Sequence, residues 1–291
     1  MNGLRRSVPV VLLTMLWGVS LHAGQQESAL LQSSIQWGYD GDRGPLHWGS
    51  LGQEFSLCQK GMSQSPIDLL HSHKTHLENI QFTYKAAHFR VVNNGQTLHT
   101  HQNVPPHLDK AKARYPRHGQ TVLHFDKDST IVFDGDLYLL EQFHFHVPSE
   151  HTVDQIHYPM ELHLVHHNER HEVAVVAIFI EEGPHNPIFQ TVLEHAPLQV
   201  GGVVDDHEHS VDPMDLLPKN QAYYRYFGSF TTPPCYEGVI WAVLQEPIQV
   251  SADQIQKFRA LQGHDNIRPT QPLHKRFVLE SHLAVTPPKE D

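Results

Sequence analysis

Hydrophobic and polar positions follow the short period of β-structure along much of the chain. Leu137 to His146 alternates in the manner of a strand buried on both faces, and Glu161 to His167 resembles it. Val173 to Ile180 and Val239 to Leu244 are almost unbroken apolar and β-branched runs, which predicts strands deep in a sheet. Helical signals are few. Ser251-Ala252-Asp253-Gln254 has the form of a capping box and predicts a helix through Leu261, and Pro187 to Glu194 predicts a second. The 20 prolines and 18 glycines supply turns. No internal repeat or low-complexity linker interrupts residues 36–283, so the pattern predicts one strand-rich domain with short peripheral helices.

Both ends depart from this pattern. Arg5 and Arg6 precede an apolar stretch, Val8 to Leu21, too short for a membrane span, and Leu21-His22-Ala23 ends in the small residue a signal peptidase requires. Residues 1–23 therefore read as a signal peptide, 24–35 as a loose leader, 36–283 as the domain and 284–291, with Pro287-Pro288, as a loose tail. The competing reading of 1–23, an uncleaved anchor, lacks a stop-transfer signal. A periplasmic or secreted protein follows, with no stable membrane insertion after cleavage. The chain has two cysteines, Cys58 and Cys235. An even number in an oxidising compartment predicts a disulfide, with two buried free thiols as the alternative.

Composition narrows the function. The chain has 291 residues, 39% hydrophobic and 18% charged, with a mean hydropathy of −0.41. That excludes a disordered chain and a polytopic membrane protein. Lys and Arg number 21 against 32 Asp and Glu, and a net charge of −11 makes nucleic acid a poor partner. The anomaly is 26 histidines, more than all lysines and arginines together. Histidine both titrates near neutrality and ligates metals.

The segment Gln142-Phe143-His144-Phe145-His146 gives those histidines a chemistry. On a strand, His144 and His146 project from one face and Phe143 and Phe145 from the other, so two imidazoles can share an ion. His163 is the candidate third ligand, on a strand able to pair with the first across a connection containing Pro148 and Pro159. Glu161 and Gln142 each stand two positions from a ligand, placed to accept its second ring N–H. Three neutral imidazoles with an open fourth position are the ligand set of catalytic zinc. His71/His73, His99/His101 and His207/His209 repeat the spacing without such support and read as solvated. No HExxH motif is present, which disfavours a zinc protease.

From about Trp37 to Arg276 the chain resembles the α-class carbonic anhydrases, in their exported bacterial branch. The matching stretches are Trp37-Gly38-Tyr39, His47-Trp48, Gln64 to Asp68, Asn93-Asn94-Gly95, Gln142 to His146, Ser149-Glu150-His151, Glu161 to His166, Gly228 to Pro234, Arg268-Pro269 and Gln271-Pro272-Leu273. The resemblance implies a mainly β domain: a large, twisted, mostly antiparallel central sheet of about ten strands, with a metal at the base of a conical cleft. It implies Zn2+ on His144, His146 and His163, and reversible hydration of CO2 to bicarbonate by attack of zinc-bound hydroxide, the water's pKa falling to roughly 7. That magnitude is the reference value for carbonic anhydrase itself.

By the same resemblance Thr231 accepts the hydroxide proton and Glu150 accepts from Thr231, while Val165, Val175, Phe230, Val239, Trp241 and Thr232 line the substrate pocket. Phe230 is bulkier than the leucine expected there. The departure is Gln96, which stands where the family's proton-shuttle histidine follows Asn-Asn-Gly, and an amide cannot carry a proton near neutrality. His99 is the candidate stand-in. A homodimer is a candidate assembly. The competing readings are a catalytically silent family member acting as a binding module and a histidine-rich metal buffer.

Overall fold

The computed structural model describes residues 35–96, 98–102 and 129–281, with the backbone alone for 98–102. The expected signal peptide, the leader up to residue 34 and the tail at 284–291 lie outside the described residues.

Twelve strands join in one sheet among the described residues. Its main path runs β1 (His73–Thr75), β14 (Leu279–Ser281), β12 (Tyr223–Ser229), β13 (Glu237–Val250), β10 (Val173–Glu182), β9 (Met160–His167), β6 (Asp136–His146), β4 (Leu98–Gln102), β3 (Ala87–Asn93) and β11 (Val203–Val211). β5 (Thr130–Phe133) pairs with β6 and with β2 (Gln81–Thr83) as a side branch. A separate hairpin joins β7 (Thr152–Val153) to β8 (Ile156–His157). Pairing is antiparallel except for β10 with β13 and β1 with β14. The four strands expected from the pattern are β6, β9, β10 and β13, the first three a little longer than their apolar runs and β13, at 14 residues, extending well beyond Val239 to Leu244. β6 is buried on both faces only in its second half, and Leu137 near its start is exposed.

One irregularity on β6 decides which side chains reach the cleft. Opposite β9, Leu140 pairs with His166 and Gln142 with Val165, so Glu141 is an extra residue. Such a bulge reverses the alternation. Tyr138 and Leu140 before it and Phe143 and Phe145 after it consequently enter the same hydrophobic core, and Gln142, His144 and His146 turn to the opposite face. A second apolar cluster behind that face contains Val165, Val175, Val239 and Trp241.

The helices are peripheral. α1 (Trp48–Leu51) and α2 (Leu57–Lys60) are single turns near the start of the domain, where Cys58 forms a disulfide with Cys235. α3 (Pro187–Glu194) is capped by the Asn186 side chain, which accepts the Phe189 N–H. α4 (Ala252–Gln262) begins at the expected Ser251/Gln254 capping box and ends at Gly263, whose left-handed φ of 76° favours a residue without Cβ.

Candidate metal centre

β6 and β9 place His144 directly opposite His163, and His146 opposite Glu161. Three imidazoles thereby converge, each offering a nitrogen within 4.8 Å of the others. They sit in an open cleft of about 520 Å³. Val165, Val175, Phe230 and Trp241 form its apolar wall, and Thr231, Thr232, Gln142, Gln96 and Tyr39 also face it. Val239 packs behind that wall, in the cluster with Trp241, and does not face the cleft.

The outward nitrogen of each ring is engaged. His144 Nδ1 donates to Gln142 Oε1 at 2.7 Å and His163 Nε2 donates to Glu161 Oε1 at 2.8 Å, the two pairs expected from spacing. His146 Nδ1 donates to the carbonyl of Asn266 at 2.6 Å. No pattern near His146 announces that acceptor, because it is a backbone oxygen 120 residues away. These bonds fix the tautomers and turn His144 Nε2, His146 Nε2 and His163 Nδ1 towards one another. Burial, and secondarily the neighbouring His163, outweigh the Glu150 carboxylate and lower the pKa of His146, which keeps it in the neutral, ligating form.

A further layer holds the carboxylates. Glu161 Oε1 also accepts from His151 Nδ1 at 2.6 Å, and Oε2 accepts the backbone N–H groups of Glu150 and His151 at 2.8 Å each. Burial raises the Glu161 pKa, but His151 and His163 more than offset it and hold the carboxyl well below its usual range. His151 Nε2 continues to the Tyr226 hydroxyl at 2.7 Å, and that hydroxyl to Ser65 Oγ at 2.8 Å. His151 and Ser65 belong to motifs quoted above, but their spacing alone assigns them no role.

Glu150 differs from its expected arrangement. Its Oε1 accepts the Arg268 backbone N–H at 2.9 Å, while Oε2 is buried without a hydrogen-bond partner. The Thr231 hydroxyl is therefore not bonded to Oε2, although Thr231 is buried on the cleft wall. Instead Oε2 lies 3.5 Å from His146 Nε2, which also lacks a partner. A buried imidazole nitrogen without a partner, His146 Nε2, beside two further imidazoles fits a divalent cation. Zn2+ is the ion the donor set favours.

Gln96 faces the cleft as its position predicts, with Nε2 donating to the Trp37 carbonyl at 3.3 Å. His99 stands opposite His144 in the β4–β6 ladder, and its side chain lies outside the described atoms. His71 and His73 are exposed, as expected of solvated residues.

A curled, largely antiparallel sheet with three locked imidazoles at the foot of a half-apolar cleft defines an enzyme of the carbonic anhydrase type. The family model for eukaryotic-type carbonic anhydrase matches residues 43–282. A carbonic anhydrase of Klebsiella pneumoniae is 40% identical over 247 residues, covering 84% of this chain and 90% of that protein. One from Pectobacterium carotovorum is 35% identical over 252 residues, covering 87% and 93%. The solved α-carbonic anhydrase from Thermovibrio ammonificans, in complex with sulfanilamide, superposes with a TM-score of 0.74 at 39% identity, over 84% of this chain and 99% of that one. The chain belongs to the α-carbonic anhydrase family and is an enzyme of that class.

Proposed function

We propose that this protein catalyses the reversible hydration of CO2 with Zn2+ held by His144 Nε2, His146 Nε2 and His163 Nδ1, in an oxidising compartment outside the cytosol. The observation that carries this reading is the set of three rings whose outer nitrogens are all engaged, with His146 Nε2 buried and unpartnered at their convergence. An ion held there supplies a water acidified to a pKa of roughly 7, the effect for which carbonic anhydrase is the reference case. Gln142, Glu161 and the Asn266 carbonyl keep the three ligands neutral and oriented. Val165, Val175, Phe230 and Trp241 offer an apolar wall to a substrate that has no charge to bind, and exclude water from it. Thr231 supplies a hydroxyl to orient the nucleophile and a backbone N–H for a substrate oxygen, with Thr232 beside it. Retention of all three ligands favours an enzyme over a silent binding module.

Export follows from the residues 1–23 pattern, and the Cys58–Cys235 disulfide accords with it. Among the described residues no helix is long and apolar enough to cross a membrane. A homodimer is testable by light scattering.

Gln96 at the shuttle position makes proton exit the slow step. The test is stopped-flow CO2 hydration by the zinc-loaded protein in weak buffer, repeated with added imidazole. Imidazole enhances turnover in the parent, and Gln96→His raises turnover in weak buffer by about 100-fold, the lower end of the range for positioned acid–base groups. High parental activity without imidazole moves the role to His99, and then His99→Ala lowers it. No activity with one zinc bound per chain rejects the enzyme reading.

A further inference from the structure

A second set of metal-ligating side chains lies outside the catalytic centre. His195, Asp206 and His209 offer one nitrogen or oxygen each, all within 4.8 Å of one another. The cluster is built at the edge strand β11, three strands from β6 along the sheet. In the β11–β3 ladder Asp206 pairs with Phe89, and pairing resumes only at Val211 with Ala87. Residues 207–210 therefore loop out of the ladder and carry His207-Glu208-His209 with them. Asp206 holds that excursion in place, its Oδ1 accepting the backbone N–H groups of Glu208 and His209 at 2.8 Å each. His88 Nδ1 steadies it further by donating to the His209 carbonyl at 3.0 Å.

Oδ2 of Asp206 is left for other partners. Two imidazole nitrogens meet it, His195 Nε2 at 2.7 Å and His209 Nδ1 at 2.8 Å. The tautomer of His195 gives this contact its meaning. Its Nδ1 lies 2.8 Å from the Thr191 carbonyl in the last turn of α3. A carbonyl only accepts, so Nδ1 carries the proton, and Nε2 of the neutral ring presents a lone pair to a carboxylate oxygen. Two acceptors at that distance require a cation, either on the ring or beside both. His146 shows the same arrangement in the catalytic centre: one ring nitrogen locked on a carbonyl, the other turned into a ligand cluster.

We propose that His195 Nε2, Asp206 Oδ2 and His209 Nδ1 form a second, peripheral site for a borderline divalent transition ion such as Zn2+, with solvent completing its shell. Two imidazoles and a carboxylate are a zinc donor set. Ligands at roughly 2.0–2.1 Å from a tetrahedral ion stand about 3.3 Å apart, so the cluster opens by about half an ångström on loading. The side chain of Asp206 is 5% exposed and that of His209 is 61% exposed, so the carboxylate stays and His209 moves. The ion then ties the end of α3 to the β11 excursion. Because it binds the native state, it raises the melting temperature with ion concentration.

The full-length protein, stripped with chelator and dialysed against graded Zn2+, tests this by metal analysis and thermal melting. The parent binds two zinc ions per chain. His195→Ala/His209→Ala binds one and loses the zinc-dependent rise in melting temperature above one equivalent, whereas His144→Ala loses the catalytic ion and keeps the peripheral one. Asp206 also organises backbone, so its replacement risks unfolding the excursion. His209→Ala alone, at an exposed side chain, is the variant that preserves the fold, and it weakens the second equivalent by at least about tenfold. One zinc per chain in the parent overturns the proposal, as does a second ion that survives in the double variant. So does nuclear magnetic resonance evidence that His195 is an imidazolium paired with Asp206 that zinc does not displace.

Discussion

Two buried residues near the centre do different work, and their protonation separates them. Glu161 accepts four hydrogen bonds, from His163, His151 and two backbone N–H groups, so its charge is part of the scaffold that aims His163. Replacing it by Gln sets an amide NH2 against donors. Glu161→Gln is expected to weaken zinc binding about 10- to 100-fold, the usual cost of losing an outer partner of a metal ligand. Competition with a calibrated chelator measures it, and unchanged affinity refutes the role. His166, three residues from His163 and on the same strand, is a structural histidine. Its Nδ1 donates to the Ala174 carbonyl at 3.2 Å and its Nε2 meets the Tyr84 hydroxyl at 2.8 Å. Burial pushes its pKa down from the usual 6.5 to about 3. Between these two values the unfolded chain binds a proton that the native chain refuses, so stability falls as pH drops from about 6.5 towards 3. The contribution is up to about 1.4 kcal/mol per pH unit. His166→Gln removes that component, and urea unfolding of parent and variant at pH 7, 6 and 5 reads the difference in slope. Equal slopes reject it.

At the scale of the element, the extra residue on β6 determines whether the histidines are ligands or core. Deleting Glu141 leaves a strand that alternates strictly from Tyr138 onward with every facing unchanged: Tyr138, Leu140, Phe143 and Phe145 to the core, and Gln142, His144 and His146 to the cleft. With Glu141 taken into the ladder instead, either Phe143 and Phe145 would turn to the cleft while His144 and His146 entered the core, or Tyr138 and Leu140 would turn outward. Exposing two phenylalanines costs about 1.5–3 kcal/mol each, and burying unpaired imidazoles adds to it. That sum rivals the 5–15 kcal/mol a domain holds in total. Because it changes no facing, the deletion is expected to keep both tight zinc binding and the cooperative near-ultraviolet melting transition, and a folded deletion variant that no longer binds zinc contradicts this account of the bulge. The bulge also marks where reading the sequence stopped. The pairs Gln142/His144 and Glu161/His163 were legible because each is two residues apart on one strand, where period two dictates a shared face. The parity change at Glu141 was not, because the run from Leu137 to His146 is apolar on both faces and reads alike with or without it. Nor was the Asn266 carbonyl that holds His146, since no local pattern marks a backbone acceptor arriving from beyond α4. His207 and His209 are exposed, as their spacing without support suggested, and what spacing could not show is that the fold brings His195, at the end of α3, against Asp206 beside them.

At the scale of the whole molecule, the parts that face the cleft come from distant stretches of chain. β10 and β13 are parallel neighbours although β11, β12 and two helical turns or more separate them in sequence, a pairing that strand patterns cannot reveal. The connection between β12 and β13 carries Thr231 and Thr232, and it is tied to α2 by the Cys58–Cys235 disulfide. Cys235 also donates its N–H to the Thr232 carbonyl at 2.9 Å, and its own carbonyl accepts from Gln64 Nε2 at 3.1 Å. Arg268, fully buried, donates to the carbonyls of Cys58 and Ser65 at 2.6 and 2.8 Å, and its backbone N–H holds Glu150. One cross-link thus joins the N-terminal turns to the cleft wall, whereas all three histidines proposed to hold zinc lie on β6 and β9, away from it. With 177 residues between the cysteines, loop-closure entropy sets a contribution of about 5 kcal/mol as the ceiling, and native interactions across the same junction reduce what is lost on reduction. Reduced protein, or Cys58→Ser/Cys235→Ser, is expected to unfold about 2–5 kcal/mol more easily in guanidinium while still binding its catalytic zinc. CO2 hydration falls more than zinc affinity does, because the loosened segment positions Thr231 and not the ligands. Coincident unfolding curves for oxidised and reduced protein would show that packing around Trp48 and Phe55 already holds the junction, and that the disulfide adds nothing to it.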